Sequence, residues 1–551
     1  MCLFIFCFIL SPKLEDFMRF LHLFLLLLFC LIFTLNAQEN NTSSDDPLHS
    51  FSESLQDSQQ SSSFQTDVLD SELNTIADWI PSDREVRQIS LEECMEFSLR
   101  NNLQLKIASY APKISETGIL EARSVFDTVF FTGFDVNEST REAGSSLQGS
   151  ENHNISAHAG LRKATTLGGT ASLEMRTARQ RTDNAFASLN PSWNTTFSLT
   201  LTQPLLKGLG WELNRIPLVT SQNNLKISHL SFEKVVIQTL KGVQQAYWDL
   251  VFSIADLKVK QTSLELANRL VAINNAKYEA GVIAKIEILQ AETQVATRNE
   301  EVILAQTLIE DNEERLKKLI HPTDDVFLYR FALRPTNKPA FIKGTFSLEN
   351  SLKRALAQRP ELQQIQIELN NLRLQIKKTY NELLPTLNFT GSVGLSGLQG
   401  NFANSVDSSL SGDQYEWSTG FVFEVPLGNR GAKARYKSAR LEERRKMEEY
   451  TSILTDIKFE ISQILRNLKT LEARIEAAHE STKLAKEQLI AEEQRFNVGL
   501  STNFDVSEVQ EQYINALSRE LKSIIDYKKA LIDLEAAESS IIENYGLQFQ
   551  R

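Results

Sequence analysis

Cysteine is scarce in this chain, and its placement matters more than its number. Of four cysteines in 551 residues, Cys2, Cys7 and Cys30 lie in or before an N-terminal apolar stretch. Once that stretch is removed, Cys94 stands alone and no internal disulfide can form. Packing and assembly must then supply the stability. Beyond the N-terminus there is also no run of ~20 apolar residues, which excludes a membrane-spanning helix in the mature chain. Positive charge is in deficit: the net charge is -12, so the basic footprint of a nucleic-acid binder is missing. HExxH, GxSxG and GxxxxGKS/T do not occur. The chain therefore reads as no enzyme, with no catalytic residue and no cofactor, and any energy source belongs to a partner. His153 and His158 lack further cysteine or histidine companions, so they read as surface residues rather than metal ligands. His321, before Pro322, reads as a helix end.

What is present begins with a leader. Met18-Arg19 precedes an apolar run from Phe20 to Leu35, and Asn36-Ala37 provides a small residue at the exit, the parts of a secretion signal. Residues 1–37 are read as that signal, with Met18 as the true start; an uncleaved anchor is the other reading. Residues 38–87, rich in Ser, Gln, Asn and Asp, form a polar lead-in that cannot bury enough surface to order.

The rest reads as two repeats. SLEECMEFSLRNNLQL from Ser90 parallels SLENSLKRALAQRPEL from Ser347. TLTQPLLKGLG from Thr200 parallels FVFEVPLGNRG from Phe421. KYEAGVIAKIEILQAETQ from Lys277 parallels RFNVGLSTNFDVSEVQEQ from Arg495. Three matches in the same order argue for an internal duplication. The first repeat spans 88–325, a linker 326–345, the second repeat 346–545 and a tail 546–551.

Long heptad rows run through both repeats. Val236, Val243, Leu250, Leu257, Leu264 and Val271 form one row, with Leu240, Tyr247 and Ile254 beside it. Leu454, Ile461, Leu468 and Ile475 form another, with Ile457, Ile464 and Leu471. Such rows mean coiled-coil packing. Residues 217–280 predict one helix of about 64 residues, ~96 Å long, and 430–498 another of similar length. Residues 103–125 with 282–320, and 361–384 with 501–544, predict pairs of shorter helices laid end to end beside them. That plan builds a rod or cylinder wall. Pro112 should kink the first short helix.

Between the helices lie alternating segments. Trp193, Thr195, Phe197, Leu199 and Leu201 alternate with polar residues over 193–203. Leu387, Phe389, Val393 and Leu395 do so over 387–395, and Trp417, Thr419, Phe421, Phe423 and Val425 over 417–425. Phe126, Phe130, Phe134 and Val136 form a fourth face over 125–136. Strands of ~9–11 residues, apolar on one side and polar on the other, suit a barrel wall between lipid and water. Four strands cannot close a barrel, and open edges are not tolerated in hydrocarbon. Three copies would give twelve strands. A further hairpin within 154–179, turning near Ala164–Gly168, either raises the total to eighteen or forms an extracellular flap.

The leader, the duplicated helix–strand–strand–helix plan, the QPLL and VPLG strand ends and the glycine-containing helical turns resemble the TolC family of outer-membrane efflux proteins. The likeness covers roughly residues 88–545. It implies an α+β membrane protein: a trimeric transmembrane β-barrel in outer-membrane lipid, continued by a long α-helical coiled-coil barrel in the periplasm. It further implies a homotrimer that docks a periplasmic adaptor (membrane fusion protein) and an inner-membrane pump, and serves as a passive export duct in tripartite efflux or type I secretion. The alternative is a structural coiled-coil protein tethering the outer membrane.

The resemblance also implies roles for particular residues. The turns at Gly281 and Gly499 match the adaptor-docking tips, with Val282, Ile283, Val498 and Leu500 beside them; the plainer reading is helix caps. Asp505 and Glu508 match acidic residues that line the periplasmic entrance, and Glu287 is their first-repeat counterpart. Three copies would make acidic rings that favour cations. The plainer reading is solvated acids at a helix N-terminus. A duct and a tether separate on a gel: an outer-membrane fraction should show detergent-resistant trimers and heat-modifiable migration, and a monomer indifferent to heating would favour the tether.

Overall fold

A computed structural model describes residues 85–142, 149–320 and 331–545. The leader, the lead-in up to residue 84, His321 and the tail lie outside the described residues. The described chain opens with strand β1 (Glu85–Ile89) and helices α1 (Leu91–Asn101), α2 (Leu103–Ala108) and α3 (Tyr110–Ser124). Ser90 starts α1 with a capping box. Its Oγ accepts from the Glu93 N–H at 3.2 Å, and the Glu93 carboxylate accepts from the Ser90 N–H at 2.8 Å. Two amides that a helix start leaves free are thus satisfied. The disturbance expected at Pro112 is a break at Ser109, which puts the proline in the first turn of α3. There its missing N–H deprives the helix of no bond.

Strands β2 (Thr128–Thr140), β3 (Glu151–Ala164), β4 (Thr170–Thr182) and β5 (Ser192–Pro204) follow. Next come α4 (Trp211–Asn214), α5 (Ile216–Glu279) and α6 (Lys285–Ile320). After β6 (Phe331–Pro335) come α7 (Leu348–Gln358) and α8 (Pro360–Asn381). Then β7 (Thr386–Gln399), α9 (Phe402–Leu410) and β8 (Tyr415–Glu424) lead into α10 (Arg430–Asn497), α11 (Asn503–Glu538) and α12 (Ile541–Asn544).

Helix α5 has 64 residues and α10 has 68, and each is followed by a helix of 36. The two long helices are ~96 and ~102 Å long. On the side of the strands, α5 packs between α3 and α8, and α8 against α10; farther along, α6 packs on α5, α5 on α11 and α11 on α10. Val236, Leu240, Val243, Tyr247, Leu250 and Leu257 are buried, as the heptad rows predict. Beyond Leu257 the rows depart from expectation. The buried seam moves to Val259, Ser263, Ala267, Leu270 and Asn274. A helix of 3.6 residues per turn drifts ~20° per heptad, so a strict seven-residue row leaves the interface over a helix this long.

The midsection of the helical layer holds the largest apolar cluster, which includes Ile89, Cys94, Met95, Leu240, Leu250, Leu316 and Ile532 around Tyr247. Burial pushes the Cys94 thiol up to about 12. The Tyr247 hydroxyl bonds Asn337 Oδ1 at 2.6 Å and the Ile89 carbonyl at 3.3 Å. It thereby ties the long helix to the segment that straddles the expected boundary between lead-in and first repeat at residue 88, and to the one read as linker. Those segments pair: β1 and β6 form a parallel two-stranded sheet with Glu85 opposite Phe331. Neither alternates clearly over its five residues, so periodicity could not reveal them. A buried ion pair secures β6 to α6. Glu313 and Lys317 face each other, with side chains 7% and 3% exposed. Lys317 Nζ donates to the Phe331 carbonyl at 2.6 Å, and Glu313 accepts from the Leu333 N–H at 3.2 Å.

The second sheet has six strands in the order β2-β3-β4-β5-β7-β8, every adjacent pair antiparallel. The additional hairpin, β3–β4, is therefore part of the sheet and no flap. The strands run to 13 or 14 residues, except for the 10 of β8, longer than the apolar bands that revealed them. Ladder hydrogen bonding continues into polar sequence past each band. The Gly/Ser/Asn-rich segment 396–416, which lacks a strand or heptad period, contains the end of β7 and helix α9.

Removing one member of the buried pair strands the other. Lys317→Met should cost about 3–5 kcal/mol in urea unfolding followed by circular dichroism. Adding Glu313→Leu should recover part of this, and the rest reflects the orphaned Phe331 carbonyl and Leu333 amide.

Candidate functional site

Two features are candidates for function: the hairpin tips at one end of the helices and the two faces of the six-stranded sheet. Each tip is a Schellman turn. Gly281 has φ 74° and Gly499 φ 79°. The Gly281 N–H bonds the Tyr278 carbonyl and the Val282 N–H the Lys277 carbonyl; Gly499 and Leu500 repeat this with Phe496 and Arg495. The left-handed residue lets the chain close the helix end and reverse, which glycine does without a Cβ penalty. Val282, Val498 and Leu500 are 70–71% exposed, and Ile283 is half-buried. Isolated apolar groups on a surface are ordinary, but these cluster on two adjacent turns.

The tips are bound to each other by polar contacts that sequence reading missed. Lys277 Nζ donates to the Phe496 carbonyl at 2.7 Å and lies 3.4 Å from the Phe496 ring centroid. Desolvation lowers its pKa. Asn274 Nδ2 donates to Asn503 Oδ1 at 3.0 Å, and Asn503 Nδ2 donates to the Glu287 carbonyl at 3.2 Å. Arg495 reaches its own turn, donating to the Leu500 carbonyl at 3.2 Å. A signal was available: Lys277 and Arg495 each stand four residues before the tip glycine, where a cation meets the carbonyl end of a helix.

The three acids named from sequence gather at this end. Glu287 is the third residue of α6 and Asp505 the third of α11, and the Glu287 carbonyl is held by Asn503, two residues before Asp505. Asp505 is a capping residue. Its carboxylate accepts from the Thr502 hydroxyl at 2.7 Å and the Thr502 N–H at 3.1 Å, while Thr502 Oγ1 accepts from the Asp505 N–H at 3.2 Å. The Thr502 hydroxyl above all, with the backbone bonds, holds the carboxyl below its ordinary range. Glu508, one turn on, is exposed and accepts from Gln512 at 3.2 Å.

The sheet separates polarity across its thickness. The register sets Phe134 opposite Ala157, Leu173 opposite Leu199, Phe197 opposite Leu395 and Phe389 opposite Phe421. Alternation puts these side chains on one face. Phe134 and Phe421 are 68% and 67% exposed, so nothing described here covers most of that face. The other face carries Asp135, Ser156, His158, Arg176, Thr196, Ser392 and Ser418, with His158 Nδ1 4.0 Å from Asp135. His153 faces Glu138 at 3.3 Å across β2–β3. Among the described residues, β2 and β8 have a partner strand on one side only.

Comparison with known proteins gives concordant results. The outer membrane efflux protein family matches residues 168–320 and 351–538. The chain is similar to Outer membrane protein TolC of Escherichia coli (strain K12), 21% identical over 360 residues that make up 63% of this chain and 70% of that protein. Its fold is similar to the Campylobacter jejuni CmeC outer membrane channel, at TM-score 0.60 and 16% identity, covering 84% of this chain and 90% of that one. It is also similar to the outer membrane protein VceC of Vibrio cholerae, at TM-score 0.59 and 15% identity, covering 81% of this chain and 95% of that one.

The Thr502 cap has a pH signature. A carboxyl titrating below its unfolded value stabilises fully above the ordinary aspartate range and loses its effect as pH falls through the lowered value. Hydrogen exchange in the first turn of α11, corrected for intrinsic rates, should lose protection on that descent. Thr502→Val should remove the protection at neutral pH as well, at roughly 0.5–2 kcal/mol.

Proposed function

The chain belongs to the outer membrane efflux protein family, an outer-membrane channel with a large periplasmic helical portion, and from this premise we propose that it is the passive duct of a tripartite efflux or type I secretion assembly. The carrying observation is the six-stranded sheet, apolar on one face and polar on the other, with a free edge on β2 and on β8. In hydrocarbon, unpaired strand edges cannot persist. Ring closure by copies of the same chain, β8 of one beside β2 of the next, removes both edges at once. Three copies give a barrel of about eighteen strands, within the known range. The apolar face then meets lipid and the polar face lines a water-filled lumen. A tether gains nothing from such a face.

The long helices extend this wall into the periplasm, and the parallel helix plans on either side of β6 support an origin by duplication. The exposed Val282, Val498 and Leu500, with the half-buried Ile283 beside them, suit docking to a periplasmic adaptor, with the pump beyond it. Asp505, Glu508 and Glu287 supply carboxylates at the periplasmic mouth. Asp505 can cap its helix and face the lumen together, because the cap leaves lone pairs on its oxygens free. In planar bilayers the protein should pass ions, whereas a tether would leave the membrane silent. Asp505→Ala with Glu508→Ala should lower cation preference and weaken divalent-cation block. Unchanged currents would remove the acidic rings but not the duct.

A further inference from the structure

The β7–β8 connection does not project from the sheet end. It folds back as α9 and lies on the sheet, packed on β5 and β7. The contact is close enough to require glycine. A Cβ on Gly397 would come within 2.3 Å of the Ser405 carbonyl oxygen and 2.5 Å of the Ser409 nitrogen. Ser405 and Ser409 are fully buried beneath the helix. Ser405 Oγ bonds Thr195 Oγ1 at 2.8 Å, and Thr195 Oγ1 bonds Thr177 Oγ1 at 3.1 Å. The Asn401 side chain caps the helix, accepting from the Asn404 N–H at 2.9 Å. Helix α9 is thus a seated element.

The face it occupies is the apolar one. Thr195 pairs with Gly397 and alternates with Asn194 and Thr196, so it shares a side with Trp193, Phe197 and Leu199. Trp193 meets Phe402 edge-on, ring centroids 5.7 Å apart. At 3.6 residues per turn, Val406 and Leu410 lie about 100° and 140° around the helix from Ser405, while Asp407 and Asn404 lie at about 200° and 260°. One flank is therefore apolar and the other polar, with Leu410 63% exposed. Such a helix, with aromatics at the end of a wall, matches the boundary between acyl chains and headgroups.

We infer that α9 is an external rim anchor, lying in the lipid interface on the outside of the wall at the end remote from the long helices. Phe402, Val406 and Leu410 enter the hydrocarbon, and Asn404 and Asp407 face the headgroups. The inference rests on the apolar sheet face meeting lipid, and its occupant is lipid because the helix continues that face. The Thr177, Thr195 and Ser405 hydroxyls beneath it are linked to one another, and Ser409 Oγ donates to the Val406 carbonyl at 2.7 Å, so these hydroxyls all have partners in the seat.

Nitroxide labels test this in protein reconstituted into vesicles of phosphatidylcholine and phosphatidylglycerol. Cys94 is fully buried and does not compete for the label. Collisions with dissolved oxygen report lipid, and collisions with a water-soluble nickel chelate report water. A Leu410→Cys label should give an oxygen-to-nickel ratio close to that of a Leu173→Cys label on the central wall and well above that of Asp407→Cys. Gly397→Leu, which unseats the helix, should drop the Leu410→Cys ratio to the Asp407→Cys value and leave Leu173→Cys unchanged. A Leu410→Cys label in water beside a lipid-exposed Leu173→Cys label overturns the anchor alone. So does a Leu410→Cys label shielded from both reagents, as beneath a second copy. A Leu173→Cys label in water overturns the wall and the anchor together.

Discussion

Backbone amides and carbonyls need partners, and hydrocarbon provides none. Among the described residues, the six-stranded sheet provides ladder partners everywhere except along the outer sides of β2 and β8. In the proposed duct its apolar face meets lipid, and its two edges are closed by neighbouring copies. Head-to-tail pairing of the first strand with the last is the simplest closure, because each copy brings one edge of each kind. The same logic extends to the helices. The outer neighbours in the strand-side layer are α3 and α10, the elements that directly precede β2 and follow β8, so the ring closure proposed for the sheet would close both layers.

The helical portion solves a different problem. A straight helix of 64 or 68 residues cannot hold one heptad row against one neighbour throughout its length. The seam along α5 therefore migrates, and different partners cover different stretches. The clasp at the middle, where Tyr247, β1, β6 and the Glu313–Lys317 pair meet, fastens segments from widely separated parts of the chain to this one helix. At the far end Lys277, Asn274 and Asn503 add polar bonds between neighbouring hairpins to a small buried apolar cluster of Leu270, Phe496 and Val506. Val282, Val498 and Leu500 lie outside that cluster and stay exposed.

The sequence was most legible where a period is long or a residue type is forced. The α5 bounds were legible to within a residue, because the heptad rows between Val236 and Val271 fix the helix and Pro217 and Gly281 mark its two ends. The sheet faces were legible because alternation of aromatic and hydroxyl residues has one structural meaning. Gly281 and Gly499 were found because a left-handed helix end admits few alternatives. Less was legible at the site. Asp505 could be placed at a helix start, but its bond to Thr502 also needed the backbone to turn. Lys277 lay in the matched motif, yet its partner Phe496 is more than two hundred residues away.

Alone, the sequence determined the two-faced strands, the long helices and the glycine turns, since all of these follow from periodicity and backbone chemistry within one segment. Only the tertiary structure decided that β3 and β4 join the sheet, that β1 pairs with β6, and that α9 lies against the wall. In each case the deciding contact joins residues far apart in the chain or depends on close approach, such as a helix backbone seated on Gly397. No local pattern encodes which distant surface will be near enough to touch.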